Sequence, residues 1–291
     1  MNKIIGKLDL ELIRDRSMGT FKQMKDKHPE TFYADENIFI TLHDFRVQGM
    51  EYGQPYQVGE GRLMMVREGW VRVVVNLEEF LLKRHSAMLL TPDSIIEIQQ
   101  WDQDFDMQAF SFKDLPLYAE SNQQACFMLN DDDWELANQY FQLIWHCVHR
   151  PVVLTDVIQQ LQTALLTELS HIARRESGNR QTKASRHEQL LHRFLKLVNV
   201  HGLNQRKIAF YADRLCITPN HLGAVIRQAS GLTVVQWLNR YAVQQAKLLL
   251  RYTDLPIWEV AERLNFANPS FFTRFFHKET GITPSEFRNK N

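Results

Sequence analysis

Ser270, Thr273, Arg274 and His277 stand among four phenylalanines in the stretch "NPSFFTRFFHKETG" (Asn268 to Gly281). Two hydroxyls, a guanidinium and an imidazole offer hydrogen-bond donors and acceptors, and the guanidinium adds a fixed positive charge. At about 100° per residue of a helix these four fall together on one side. Phe271, Phe272, Phe275 and Phe276 fall within an arc of roughly 140° on the other. Asn268 is a good N-cap, and Pro269 suits the first helical turn because its missing N–H would be unpaired there anyway. Gly281 can take the left-handed conformation that ends a helix. The stretch therefore reads as a short helix with an aromatic keel and a polar edge suited to recognition by hydrogen bonding. No Ser/His/Asp or Cys/His constellation for covalent catalysis is legible in the chain.

The elements that position this edge occur twice. "TPNHLGAVIRQASGLT" (Thr218 to Thr233) has the same plan fifty residues earlier: Pro219 matches Pro269, Leu222 matches Phe272, Val225 and Ile226 match Phe275 and Phe276, and Gly231 matches Gly281. Upstream the match continues, shifted by one residue, as "IAFYADRL" (Ile208 to Leu215) parallels "IWEVAERL" (Ile257 to Leu264). Ala212 and Ala261 are the small residues that let two helices cross closely. Each copy reads as helix, short turn, helix, with a polar outer face on the second helix, which is the helix-turn-helix arrangement. "VVQWLNRYAVQQAKLLLR" (Val234 to Arg251) reads as one long helix joining the copies, with Trp237, Leu238, Tyr241 and Leu248 on its buried face.

Three motifs carry a family resemblance: "IAFYADRLCITPNHLGAVIRQASG", "AVQQAKLLLRYTDLPIWEVAERLNF" and "NPSFFTRFFHKETGITPSEFR". Together they resemble the DNA-binding domain of the AraC/XylS family of bacterial transcription regulators over about residues 187–288. The order of Phe, Lys, Gly, Pro and Arg in the third motif is a hallmark of that family. The resemblance implies double-stranded DNA as a partner, with the two reading helices entering successive major grooves about 34 Å apart. It places Asn220, Gly223, Ala224 and Arg227 of the first copy, and Ser270, Thr273, Arg274 and His277 of the second, on the DNA side. There Arg274 can fork onto guanine O6 and N7, Thr273 and Ser270 can meet a base or a thymine methyl, and His277 is placed at phosphate or water. Asn220 is a candidate adenine reader and Arg227 a phosphate or base ligand. Family members usually carry larger polar side chains where Gly223 and Ala224 stand, so the first unit offers close approach and apolar contact there. Arg240 and Lys247 on the joining helix are candidate phosphate ligands.

Charge is divided along the chain in a way that fits this. The net charge of the 291 residues is zero, yet residues 181–291 hold 16 Lys/Arg against 7 Asp/Glu, a net +9, leaving −9 on residues 1–180. A basic C-terminal module on an acidic partner domain suits DNA binding at one end. Cys126, Cys147 and Cys216 are scattered, without metal-ligand spacing, as free thiols of a reducing cytosol are. The first residues, "MNKIIGKLDLELIRDRS", carry too short an apolar run and too many charges for a signal peptide, and no apolar stretch reaches the length of a membrane span. The expectation is a cytoplasmic protein.

Residues 36–113 carry short β-rich runs, "NIFITL", "RLMMV", "WVRVVVN", "FLLK", "SIIEIQQ" and "MQAFSF", about ten residues apart with turn signals such as "REGW" and "TPDS" between them, the pattern of a small antiparallel barrel or sandwich. In "WVRVVVN", Val71, Val73 and Val75 share one face and Trp70, Arg72 and Val74 the other. Two helical patterns follow. "DDWELANQYFQLIWHCVHR" (Asp132 to Arg150) has acids in its first turn and bases in its last. "LTDVIQQLQTALLTELSHIARRES" (Leu154 to Ser177) has Val157, Leu161, Leu165, Leu169 and Ile172 at three- and four-residue spacing. "SGNRQTKASRHE" is polar and aperiodic. The whole resembles the cupin-like sensing domain that precedes the DNA-binding domain in many family members.

The predicted fold is thus α+β in two domains. Residues 1–176 form a cupin-like sensing and dimerisation domain, with a small antiparallel β-barrel at about 36–113 and packed helices at about 131–175. A linker at 177–186 leads to an all-α domain at 187–291, with helix-turn-helix units at about 206–230 and 256–280. The resemblance implies a transcription regulator, by family habit an activator touching RNA polymerase, dimeric through the N-terminal helices and responsive to a small-molecule effector. Arg46, Arg62 and Trp101 are candidates to face that effector. The alternative is a cupin-type metal enzyme with an appended helical domain. Such a metal usually takes a His-x-His pair among its ligands; the barrel region has only His43 and His85, the latter in "KRHSAM" at an expected strand end, so no metal, cofactor or catalytic residue is expected.

Overall fold

The computed structural model describes residues 30–35, 38–42, 52–112, 125–181 and 185–290. The chain divides into two units, one holding the strands and the first two helices, the other the remaining helices. Ten strands are described: β1 (Phe32–Ala34), β2 (Phe39–Thr41), β3 (Pro55–Gln57), β4 (Gly61–Glu68), β5 (Trp70–Val75), β6 (Glu78–Lys83), β7 (Ser86–Leu90), β8 (Ile95–Trp101), β9 (Asp106–Phe112) and β10 (Ala125–Met128). They form two sheets, in the orders β1-β2-β9-β4-β7-β10 and β3-β8-β5-β6. The paired strands run antiparallel, with Val73 opposite Ile98 and Val75 opposite Ile96 in one sheet, and Leu63 opposite both Leu89 and Phe110 in the other.

The expected small antiparallel β-barrel is corrected to two sheets, each ending in edge strands among the described residues, as in the sandwich that the same pattern allows. Spacing and turn signals specify antiparallel neighbours; closure depends on which edges meet. Alternation explains what each sheet buries. Val71, Val73, Val75, Ile96 and Ile98 of the smaller sheet pack with Met64, Val66, Met88, Leu90, Met107 and Ala109 of the larger one. The larger sheet turns its other face, Leu63, Met65, Ala87, Leu89, Phe110 and Phe112, onto two helices. A sheet apolar on both faces loses its alternation. "SAMLL" (β7), buried at every position, shows none and lies outside the expected runs. β1, β3 and β10, three or four residues long, also lie outside the expected runs.

Helix α1 (Asp131–Val148) starts at Asn130, whose side chain accepts from Asp133 N–H, and carries Asp131, Asp132 and Asp133 in its first turn. Its residues Ala137, Phe141, Ile144 and Val148 cover the sheet. Helix α2 (Thr155–Gln181) adds Leu165, Leu166, Leu169 and Ile172, while Leu161 is partly buried and Val157 exposed. Helix α2 runs on to Gln181 and the next helix begins at Arg186, so residues 177–181 of the expected linker are helical. His85 lies just before β7 with φ 65°, at a strand end as expected, its ring stacked 4.5 Å from that of Trp134. Among the described residues no helix is long and apolar enough to cross a membrane.

Candidate nucleic-acid interface

The helical unit opens with α3 (Arg186–His201), held at its start by a reciprocal cap between Ser185 and Glu188. Two helix pairs follow, α4 (Ile208–Arg214) with α5 (Pro219–Ser230), and α7 (Ile257–Arg263) with α8 (Pro269–Thr280). The long α6 (Val234–Tyr252) joins them and α9 (Pro284–Lys290) closes the chain. The repeat read from the sequence reappears atom for atom. Thr218 and Asn268 cap α5 and α8, accepting from His221 N–H at 3.2 Å and Phe271 N–H at 2.9 Å. Gly231 and Gly281 end them at φ 73° and 80°, where a side chain would be strained. Ser230 and Thr280 donate back to Ile226 and Phe276 carbonyls, both at 2.7 Å. In the turns, Cys216 and Asn265 both sit at φ 58°.

Each pair has its own core, and α6 serves both. Val234, Trp237, Leu238 and Tyr241 pack with Phe194, Tyr211, Leu222 and Ile226. Ala246, Leu249 and Leu250 pack with Val260, Leu264, Phe272, Phe276 and Phe287. Leu248 is buried as well, so the expected face of α6 is present. Burial pushes the phenols of Tyr211 and Tyr241 well up, and both donate to carbonyls, Tyr211 to Gln205 at 2.6 Å and Tyr241 to Asn199 at 3.1 Å. Asn239 donates to Glu279 at 3.0 Å, fixing α8 against α6.

These cores leave one edge of each second helix outward. Asn220, Ala224 and Arg227 on α5 are exposed, and Gly223 is partly so. Ser270, Arg274 and His277 on α8 are exposed, and Thr273 is half-buried. Of the eight residues that the sequence places on the outer faces, six are exposed and two, Gly223 and Thr273, are half-buried. The aromatic keel needs correction: Phe272 and Phe276 are fully buried and Phe275 partly, but Phe271 is 53% exposed. Phe271 lies at the rim of the apolar arc, next to Arg274, and the Arg274 guanidinium stands 4.7 Å from its ring centre. Arg206 lies in the loop before α4 with its guanidinium 4.3 Å from the Phe266 ring and 5.3 Å from that of Phe275. Burial draws that guanidinium below its ordinary range. No local pattern marks Arg206, because its partners stand sixty residues away. Arg240 is exposed, 5.3 Å from the Trp237 ring.

The candidate effector residues lie in the other unit. The Arg62 guanidinium stands 4.4 Å from the Phe39 ring centre, and burial draws its pKa down to about 10, so it is a cation at neutral pH. Trp101, at the end of β8, has the rings of Tyr52 at 4.7 Å and Phe105 at 6.3 Å. Arg62 and Trp101 are on different sheets, against different aromatic partners; Arg46 and His43 lie outside the described residues. Among the described residues no three His, Cys, Asp or Glu gather where they could hold a metal ion.

The family described as "Helix-turn-helix domain" matches residues 211–290. The arabinose operon regulatory protein of Escherichia coli (strain K12) is 41% identical over 81 residues, 28% of each chain. The HTH-type transcriptional activator RhaR of Cronobacter sakazakii is 33% identical over 91 residues, 30% of this chain and 32% of that one. Among solved structures, the C-terminal domain of AraT, a response regulator from Geobacillus stearothermophilus, is 27% identical, with 37% of this chain and 89% of that one covered and a TM-score of 0.35. The chain spans under a third of the length of the two curated relatives. The repeated caps, the shared joining helix and this run of identity lead to one conclusion: over residues 211–290 the chain carries the helix-turn-helix domain of the AraC/XylS family.

Proposed function

We propose that this protein is a sequence-specific DNA-binding transcription regulator whose N-terminal unit senses a small molecule and pairs two copies of the chain. The observation that carries the reading is the pair of reading helices, α5 and α8, each with its polar edge left outward by a separate core on the shared α6. The net +9 on residues 181–291 supports it, because phosphate neutralisation supplies much of the affinity for DNA. The names of the relatives, an operon regulator and a transcriptional activator, point the same way, and the second favours activation. RNA polymerase as a further partner, and a cytoplasmic location, are what the family resemblance implies.

In this reading residues 1–176 are the cupin-like sensing and dimerisation domain. Arg62, a cation held against Phe39, and Trp101 are its effector-facing candidates, with Arg46. Leu136, Tyr140, Leu143 and Cys147 form one stripe on a flank of α1 beside its buried face; Tyr140 and Cys147 are partly buried against the core, and Leu136 and Leu143 are exposed. A stripe spaced by four, three and four residues suits a helix paired across a two-fold axis. Sedimentation of the full chain tests this: dimers are expected, and Leu143→Glu should shift them to monomers.

The DNA reading is tested by selecting bound sequences from a random pool with the full-length chain. An enriched site is expected. Arg274→Ala should leave thermal melting nearly unchanged, cost about 1–3 kcal/mol in binding, and relax preference at one or two base pairs. Equal weakening on all sequences would make Arg274 a phosphate contact rather than a base reader, melting of the domain would give it a structural role, and unchanged binding would leave the polar edge of α8 a solvated surface.

A further inference from the structure

Phe271 is an apolar ring placed where a helix reading DNA presents polar groups. It stands one residue after Ser270 and three before Arg274, on the first turn of α8, and is 53% exposed while its neighbour Phe272 is fully buried. Its exposure is not fraying, since its N–H donates to the cap Asn268 Oδ1 at 2.9 Å and the helix continues through Thr280. One side of the ring is taken by the Arg274 guanidinium, 4.7 Å from its centre. The ring and the fork therefore form one unit at the N-terminal end of the reading edge. The corresponding residue on α5 is the exposed His221, so the first copy has no counterpart.

In the major groove, guanine offers the O6 and N7 acceptors that an arginine fork meets, and thymine offers a C5-methyl that only an apolar surface meets. We propose that Phe271 is a specificity-determining residue: its exposed ring contacts the methyl of a thymine next to the guanine taken by Arg274, and its face holds that guanidinium in place. The proposal rests on the DNA-binding reading above and adds to it a base and a chemical group.

The experiment uses the full-length chain and the site selected from random DNA. Each thymine in turn is replaced by deoxyuridine, which removes the methyl and keeps every hydrogen bond. Wild type should lose about fourfold in affinity, the worth of one buried carbon group, at a thymine adjacent to the guanine whose preference Arg274→Ala abolishes. Phe271→Ala should lose that sensitivity, keep its melting temperature, and narrow the guanine preference roughly two- to fivefold, the worth of an exposed cation–π contact. Phe271→Leu should retain the sensitivity to the methyl and still narrow the guanine preference. A selected site with no thymine beside that guanine, no deoxyuridine effect there, or an equal effect in wild type and Phe271→Ala overturns the proposal while leaving the regulator reading intact. Failure to enrich any sequence overturns both.

Discussion

Gly223 lies inside helix α5, and a β-carbon added there meets nothing within 4 Å. Packing inside the protein therefore gives no reason for a glycine, although glycine in a helix interior costs roughly 0.5–1 kcal/mol relative to alanine. Gly223→Ala should raise the stability of the helical unit by about that amount, measured by thermal melting. If the backbone of α5 approaches DNA closely, the same substitution should lower affinity for the selected site. The phenylalanines of α8 differ in the same residue-by-residue way. Phe272→Ala empties a fully buried position and should cost about 3–5 kcal/mol. Phe275→Ala should cost less, since that ring is only partly buried and its face is shared with Arg206. Denaturant unfolding of the two variants orders them.

Between elements, Arg206 bridges what sequence distance separates. It follows α3 and precedes α4, yet its guanidinium stacks on Phe266, in the turn before α8, and on Phe275 of α8 itself. A partly desolvated cation–π contact is worth about 1–2 kcal/mol. Arg206→Ala should destabilise the unit by roughly that much and broaden tolerance for half-site spacing. Binding to sites with the halves moved apart by one base pair checks it. The caps give a pH dependence. Glu188 and Glu286 accept from the backbone N–H and side-chain hydroxyl of Ser185 and Thr283, and these bonds hold both carboxyls below the usual range. A depressed folded-state pKa adds stability above the unfolded value, about 4.3, and loses it as pH falls through the folded value. Melting followed from pH 6 to pH 3 should fall along this limb, and Glu286→Gln should flatten part of it.

On the scale of the whole molecule, zero net charge conceals a division of +9 and −9 between the C-terminal and N-terminal parts. DNA binding should therefore weaken steeply with salt, as Lys and Arg release counterions from phosphate. Titration of the full chain on its selected site at several salt concentrations measures the slope, and affinity indifferent to salt would contradict a phosphate-anchored interface. Replacing Arg227 or Arg240 by alanine should reduce that slope by about one if either meets phosphate.

Much of this was legible in the sequence wherever the signal is local. The caps Thr218 and Asn268, the terminal glycines Gly231 and Gly281, and the buried faces of α5 and α6 follow from periodicity and backbone preference within a few residues. So does the outward placing of Asn220, Arg227, Ser270, Arg274 and His277. What the tertiary structure decided depends on partners distant in the chain. Two sheets rather than a closed barrel, and the doubly buried β7, follow from which strands meet and from the helices that cover them. Helix α2 ran past its apolar stripe because helical hydrogen bonds, unlike a core, need no distant partner. Phe271 turned outward because the arc of a helix that its domain covers is narrower than the arc its apolar residues span, and only the packed neighbours determine where that cover ends.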